Sequence, residues 1–277
     1  MLQVENTVTA KFLPTLLLIG ILTWILPGQI LVRSRFKGAP SIMLWAWERP
    51  EDIRNFPDVD KVGVAFLAAT INLSAIHTGV NRRKQPLLCS PHQYLMPVVR
   101  IETSRKNPPF FSVDLVDEVV AQILQIAANP NWHGVQIDFD ATQGQRESYK
   151  TLLTRLRKSM PPEMPLSMTA IASWCAGDLW LADLPVDEVV PMYFDMGVSE
   201  SMKWQYFQYI SDNTRNDWTA NCKCHKALGL STSEAIPLRA TQYKNKRVYF
   251  FSSRPWQMLS NRQRNDITKI LKYTEAS

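Results

Sequence analysis

Short apolar runs alternate along this chain with longer stretches whose apolar positions fall three and four residues apart. The first pattern suits strands buried on both faces, the second amphipathic helices. Eight runs read as strands: residues 42–47, 62–68, 96–101, 135–140, 166–172, 189–194, 227–230 and 248–251. Helical periodicity covers residues 113–128, where Val116, Val119, Val120, Ile123, Leu124 and Ala127 make a broad stripe. It returns over 146–160, with Tyr149, Leu152, Leu153 and Leu156 on one side and Pro161-Pro162 as the stop, and over 261–272 as a closing helix. Pro50 to Ile53 reads as a short helical turn, and the insertion over 70–93 has room for a small hairpin. Strand, helix, strand in this order implies parallel pairing under a helical coat, and eight such strands imply a (β/α)8 TIM barrel, an α/β fold.

The run from Val135 to Asp140 departs from the rest. Val135, Ile137 and Phe139 point one way by alternation, and Gln136, Asp138 and Asp140 the other. Unpaired carboxylates do not stay buried, so the polar face needs a wet or hydrogen-bonded interior. The upper end of a barrel strand supplies one, and polar residues there carry chemistry. Glu48, Arg100, Glu102, Asp138, Asp140, Asp195 and Arg254 all fall at or just past predicted carboxyl ends. Trp45, Trp47, Trp174, Trp180, Tyr193 and Trp256 cluster there too, most expected to pack in the core or on helices and one or two to offer a sugar ring a flat surface. A structural ion-pair network inside the barrel is the alternative for the charged members.

The 277 residues are 45% hydrophobic, enough for one sizeable domain without a disordered composition. Residues 1–37 separate from a barrel over 38–277, because residues 12–32 are uncharged for about the length that crosses a bilayer. This stretch is expected to be a signal or membrane anchor, helical and not packed into the barrel. The net charge of +6 arises from scattered clusters such as Arg82-Arg83-Lys84 and Arg155/Arg157/Lys158, read as solvated faces. No nucleic-acid-binding signature accompanies them, so nucleic acid is not an expected partner. Cys89, Cys175, Cys222 and Cys224 are compatible with an oxidising compartment. Cys222-Lys223-Cys224-His225 lacks zinc-site spacing and a second ligand pair, so no metal and no other cofactor are expected.

Two runs carry a family resemblance. His133-Gly134-Val135-Gln136-Ile137-Asp138-Phe139-Asp140 is similar to the D-G-x-D-x-D-x-E strand of the chitinase-like glycoside hydrolases of family eighteen, and Met192-Tyr193-Phe194-Asp195 to their M-x-Y-D. The resemblance implies Asp140 as general acid, Asp138 as its supporting carboxylate and Asp195 as a substrate-contacting acid. His133 and Gln136 stand where the family has acids, Asp140 is one methylene shorter than Glu, and Phe194 lacks a hydroxyl, departures that count against catalysis assisted by an N-acetyl group. The runs 43–48, 98–102, 134–140, 173–175 and 184–188 also resemble a bacterial domain family of unknown function, which implies an envelope-associated protein and no particular reaction.

These readings converge on a glycoside hydrolase acting on an envelope or extracellular polysaccharide. Asp140, Asp138 and Asp195 are its catalytic acids, and Glu48, Arg100, Glu102, Gln136, Trp174, Tyr193, Arg254 and Trp256 its substrate contacts. The competing expectation is a catalytically silent barrel that binds glycan or serves as an envelope scaffold. A metal-dependent hydrolase or deacetylase is the weakest reading, because no paired histidines stand at a strand end.

Overall fold

The computed structural model describes residues 35–175, 179–211, 223–236, 238 and 240–275. The expected anchor over 12–32 lies outside the described residues. Among those described, no helix is long and apolar enough to cross a membrane.

Eight parallel strands close into a ring. β1 (Ile42–Ala46) leads through a short β2 (Glu51–Asp52) to β3 (Val62–Leu73); β4 (Thr78–Arg82) and β5 (Leu87–Leu88) follow, then β6 (Leu95–Thr103). The others are β7 (Val135–Asp138), β8 (Leu166–Ile171), β9 (Glu188–Met192), β10 (Ala227–Ser231) and β11 (Arg247–Phe251). The ring runs β1-β11-β10-β9-β8-β7-β6-β3, and pairing of β1 with β3 closes it. All eight strands expected from the apolar runs are therefore present in a TIM barrel, with an added hairpin. β3 overshoots its expected end and pairs antiparallel with β4. At Leu67/Ala69 its register against β6 slips by one residue. Before the slip Val62, Val64 and Phe66 join the outer core, and after it Ala69, Ile71 and Leu73 do, as one inserted residue must cause. Pro50 to Ile53 is not helical: Glu51–Asp52 pairs in parallel with Leu87–Leu88, the insertion supplying an edge that local sequence does not reveal.

Among the described residues, four α-helices coat the ring: α1 (Val113–Ala127), α2 (Arg146–Ser159), α3 (Glu200–Ser211) and α4 (Asn261–Glu275). Ser112 caps α1, its Oγ accepting from the Leu115 amide at 3.2 Å. Met160 leaves α2 in extended geometry, as a residue before proline must. α3 carries no clear apolar stripe, because Lys203 and Phe207 are its buried positions among those described. Among the described residues, the other crossovers hold loops and 3-10 turns. A disulfide joins Cys175, just after β8, to Cys224, just before β10. Cys224 is therefore no zinc thiolate, while Cys89 is free and burial pushes its thiol up to about 11.

The barrel interior holds Met43, Trp45, Ala65, Met96, Val98, Val190, Tyr249 and Phe251. Gly63 lies close against this core: a Cβ there would stand 2.5 Å from the Met43 sulfur, which would have to shift. Polar residues fill the remaining interior positions in connected groups. Near the amino ends, buried Glu188 accepts two bonds from Arg247, at 2.8 and 2.9 Å, and one from the Tyr249 hydroxyl at 3.3 Å. Burial raises the Glu188 carboxyl, and Arg247 partly offsets this. Above it, the Gln136 amide accepts from Trp45 Nε1 and donates to Ser167 Oγ, both at 3.0 Å. Two cations are thus structural, one of them, Arg83, expected on a solvated face. Arg247 belongs to this plug, and Arg83 donates to the carbonyls of Trp47 and Arg49 at 2.6 and 2.7 Å.

Candidate functional site

Strand β7 places Asp138 at the carboxyl end of the barrel, and its neighbours supply the partners. Thr169 of β8 donates to Asp138 Oδ1 at 2.6 Å, and Arg100 of β6 donates to Oδ2 at 3.3 Å. The same guanidinium donates from Nε to Glu102 at 2.9 Å and lies 5.9 Å from the centroid of the Trp47 ring. Asp138 is 5% exposed. Desolvation therefore raises its carboxyl, the Thr169 hydroxyl and the Arg100 cation pull it back, and nearby Asp140 and Glu102 push it up again. A carboxylate so enclosed cannot reach a polymer itself; it can act through what lies above it.

Asp140 lies above it. The strand ends at Asp138, and Asp140, two residues on, is exposed, with no hydrogen bond or ion pair among the described residues. Trp45 and Trp47 sit with ring centroids 4.2 Å apart, Phe251 stacks on Trp45 at 5.2 Å, and Phe194 lies 4.8 Å from Phe251. A buried carboxylate, one arginine and an exposed carboxylate thus share the mouth with a run of aromatic rings.

The remaining expected site residues separate from this group. Asp195 is exposed beyond β9 with φ of 50°, left-handed geometry that Asp tolerates better than most residues. Its amide donates to Glu234 at 2.9 Å, and Glu234 pairs with Lys203 of α3. These three line a recess of about 300 Å³ with Met196 and Gly197. Glu48 accepts from the amides of Lys84 and Gln85 at 2.8 and 3.2 Å, so it fixes the turn that holds Arg83. Gln136 is wholly buried under the mouth, with both ends of its amide engaged. Tyr193, Trp174 and Trp256 are core residues, not cleft walls: Tyr193 packs on Phe207, Trp174 on Trp180, and Trp256 donates to the Trp45 carbonyl at 3.2 Å. Large aromatics near strand ends face the helices as readily as the mouth. Arg254 is exposed and lines a separate groove over the ends of β10 and β11. Sequence reasoning did not single out Thr169, although the polar alternation Ser167/Thr169 in β8 carried the signal.

No family model and no curated protein matches the chain. Solved structures do. A structure assigned as chitinase A of Streptomyces coelicolor superposes with a TM-score of 0.58 at 12% identity, over 86% of this chain and 99% of that one. A family 18 chitinase from Chromobacterium violaceum gives 0.52 at 11% identity, over 86% and 83%. A xylanase–α-amylase inhibitor protein in complex with trehalose gives 0.53 at 13% identity, over 83% and 97%. The chain therefore has the barrel fold of the chitinase-like glycoside hydrolases, a fold that also serves a protein named as an inhibitor. Identity at this level speaks for the fold alone.

Proposed function

We propose that this protein is a glycoside hydrolase acting on an envelope or extracellular polysaccharide, with Asp140 as the acid that meets the glycosidic oxygen. The observation that carries the reading is the pairing of an exposed Asp140 with Asp138, enclosed two residues below it at the open end of the barrel. Glycosidases need one carboxylic acid to protonate the leaving oxygen and a second group to stabilise or attack the sugar carbon. Asp138 serves as the positioning carboxylate: held by Thr169 and Arg100, it lies enclosed beneath Asp140. Trp47 and Phe194 offer the sugar flat faces beside it. Asp195 contacts the substrate from the recess it shares with Glu234.

The location outside the cytoplasm rests on two supports. One is the uncharged run over residues 12–32, and the other is the Cys175–Cys224 disulfide, a linkage that persists in oxidising compartments. A glycan-binding barrel without turnover is the second reading, favoured by one observation: Arg100 is engaged by two carboxylates, as in a structural ion-pair network. Assay of the full-length protein on a polysaccharide panel, with Asp140→Asn alongside, separates the two. The hydrolase reading expects product from the native protein and none from the variant, with glycan binding kept by both. Binding without product from either protein would establish the silent barrel.

A further inference from the structure

A sizeable cavity lies away from the Asp138 mouth. It is a groove of about 860 Å³ walled by the segments that follow β10 and β11 and by the start of α4. Arg254 stands on one wall and Arg262, in the first turn of α4, on another; both are exposed, and neither guanidinium has a hydrogen bond or ion pair among the described residues. Ser260 caps α4, its Oγ accepting from the Gln263 amide at 3.3 Å, which leaves the amides of Asn261 and Arg262 at the positive end of a 15-residue helix. The groove also contains carboxylates. Glu234 is held by Lys203, and Asp266 lies one turn along α4 from Arg262. The lining thus holds two arginines and two carboxylates, and one of the carboxylates, Glu234, is already neutralised by Lys203.

A second observation, independent of the helix end, also points to a ligand. Thr232, a lining residue, is 6% exposed, and its Oγ1 is buried with no hydrogen-bond partner among the described residues. An orphaned buried hydroxyl carries a free-energy cost that a bound acceptor relieves. Its backbone is already fixed, the amide donating to Phe251 and the carbonyl accepting from Gln263, so the hydroxyl is the one polar group of this residue left over.

We propose that this groove is a binding site for an oxyanionic group, phosphoryl or carboxylate, carried by a larger hydroxylated molecule. Arg254, Arg262 and the first amides of α4 hold the anion, and Thr232 donates to it from the groove wall. A pocket between the loops after the seventh and eighth barrel strands and a helix N-terminus is where TIM barrels commonly hold phosphate. The volume exceeds what an isolated anion needs and falls within the range that encloses small molecules. Ser233, Ser252 and Ser253, also on the lining, supply hydroxyl partners for the rest of the ligand. The site is distinct from the Asp138/Asp140 mouth and does not depend on the hydrolase reading.

The test titrates inorganic phosphate, and separately acetate, into the full-length protein in detergent at constant ionic strength, following heat and thermal midpoint. Saturable binding of at least one anion with about millimolar affinity is expected. Arg254→Ala and Arg262→Ala each weaken it about tenfold, and the double variant abolishes it. Thr232→Val weakens binding severalfold while leaving the ligand-free midpoint unchanged or higher, a pattern that damage to the fold would not produce. Lys158→Ala, on the far surface of α2, binds as the native protein does. Tighter binding of phosphate assigns a phosphoryl ligand, and tighter binding of acetate a carboxylate. The inference is overturned if neither anion saturates, or if the double arginine variant or Thr232→Val binds as the native protein does.

Discussion

Replacing Arg100 by methionine isolates the electrostatics of the barrel mouth. The substitution keeps the aliphatic stem and removes the cation that donates to Asp138 at 3.3 Å and to Glu102 at 2.9 Å. Glu102 is solvated and loses little. Asp138, 5% exposed, keeps only the Thr169 hydroxyl against its desolvation. Stranding a fully buried charge costs about 3–5 kcal/mol. The Arg100 side chain is 29% exposed, so water replaces part of the lost solvation, and about 1.5–3 kcal/mol is expected at pH 7.5. For a chain of this size that lowers the thermal midpoint by roughly 3–12 °C. The loss must depend on pH. Burial raises the Asp138 carboxyl above its ordinary 3.8, and removing Arg100 raises it further. Between 3.8 and that raised value the folded variant holds a proton that the unfolded chain has released. The stability of the variant therefore falls as pH rises through this window, and below it the deficit largely disappears. Urea unfolding of both proteins at pH 4 and pH 7.5 measures this, and Asp138→Asn in the variant background should recover most of the neutral-pH loss. A deficit equal at both pH values, or one that Asp138→Asn leaves in place, would refute the account.

Asp140→Asn should abolish hydrolysis of any polysaccharide the native protein cleaves while moving the thermal midpoint by less than about 2 °C, since Asp140 is exposed and makes no hydrogen bond or ion pair among the described residues; full activity in the variant ends the catalytic assignment. Gly63→Ala should destabilise by about 1–3 kcal/mol, because its Cβ meets the Met43 sulfur inside a filled barrel, and shortening Met43 to valine should restore part of the loss on the same melting curves. Reducing the disulfide, or replacing Cys175 and Cys224 by serine, should cost about 2–4 kcal/mol for a closed loop spanning 49 residues. Non-reducing peptide mapping should recover the Cys175–Cys224 pair, and its absence from protein exported to an oxidising compartment would count against that pairing.

The eight barrel strands and three of the four α-helices among the described residues were legible in the sequence because each is a local apolar pattern: a strand buried on both faces reads as an apolar run, and α1, α2 and α4 as stripes. The inward face of β7 was legible for the same reason, since alternation alone puts Gln136 and Asp138 opposite Val135 and Ile137. α3 was not, because one of its buried positions is Lys203, which an ion pair with Glu234 and the face of Trp204 make tolerable. The strand pair Glu51–Asp52 with Leu87–Leu88 depends on a partner far along the chain, so local sequence reads its first half as a turn. The roles of the polar residues were decided in three dimensions. Nothing local distinguishes Glu48, which caps a turn, from Glu102, which meets Arg100, nor Trp256 in the core from Trp47 at the mouth. The groove of Thr232, Arg254 and Arg262 exists only because β10 and β11 are neighbours in a closed ring that brings their following loops against the start of α4. Periodicity reports which face of an element is apolar. Which other element that face meets, and whether a charge there finds a partner or water, is set by closure of the barrel.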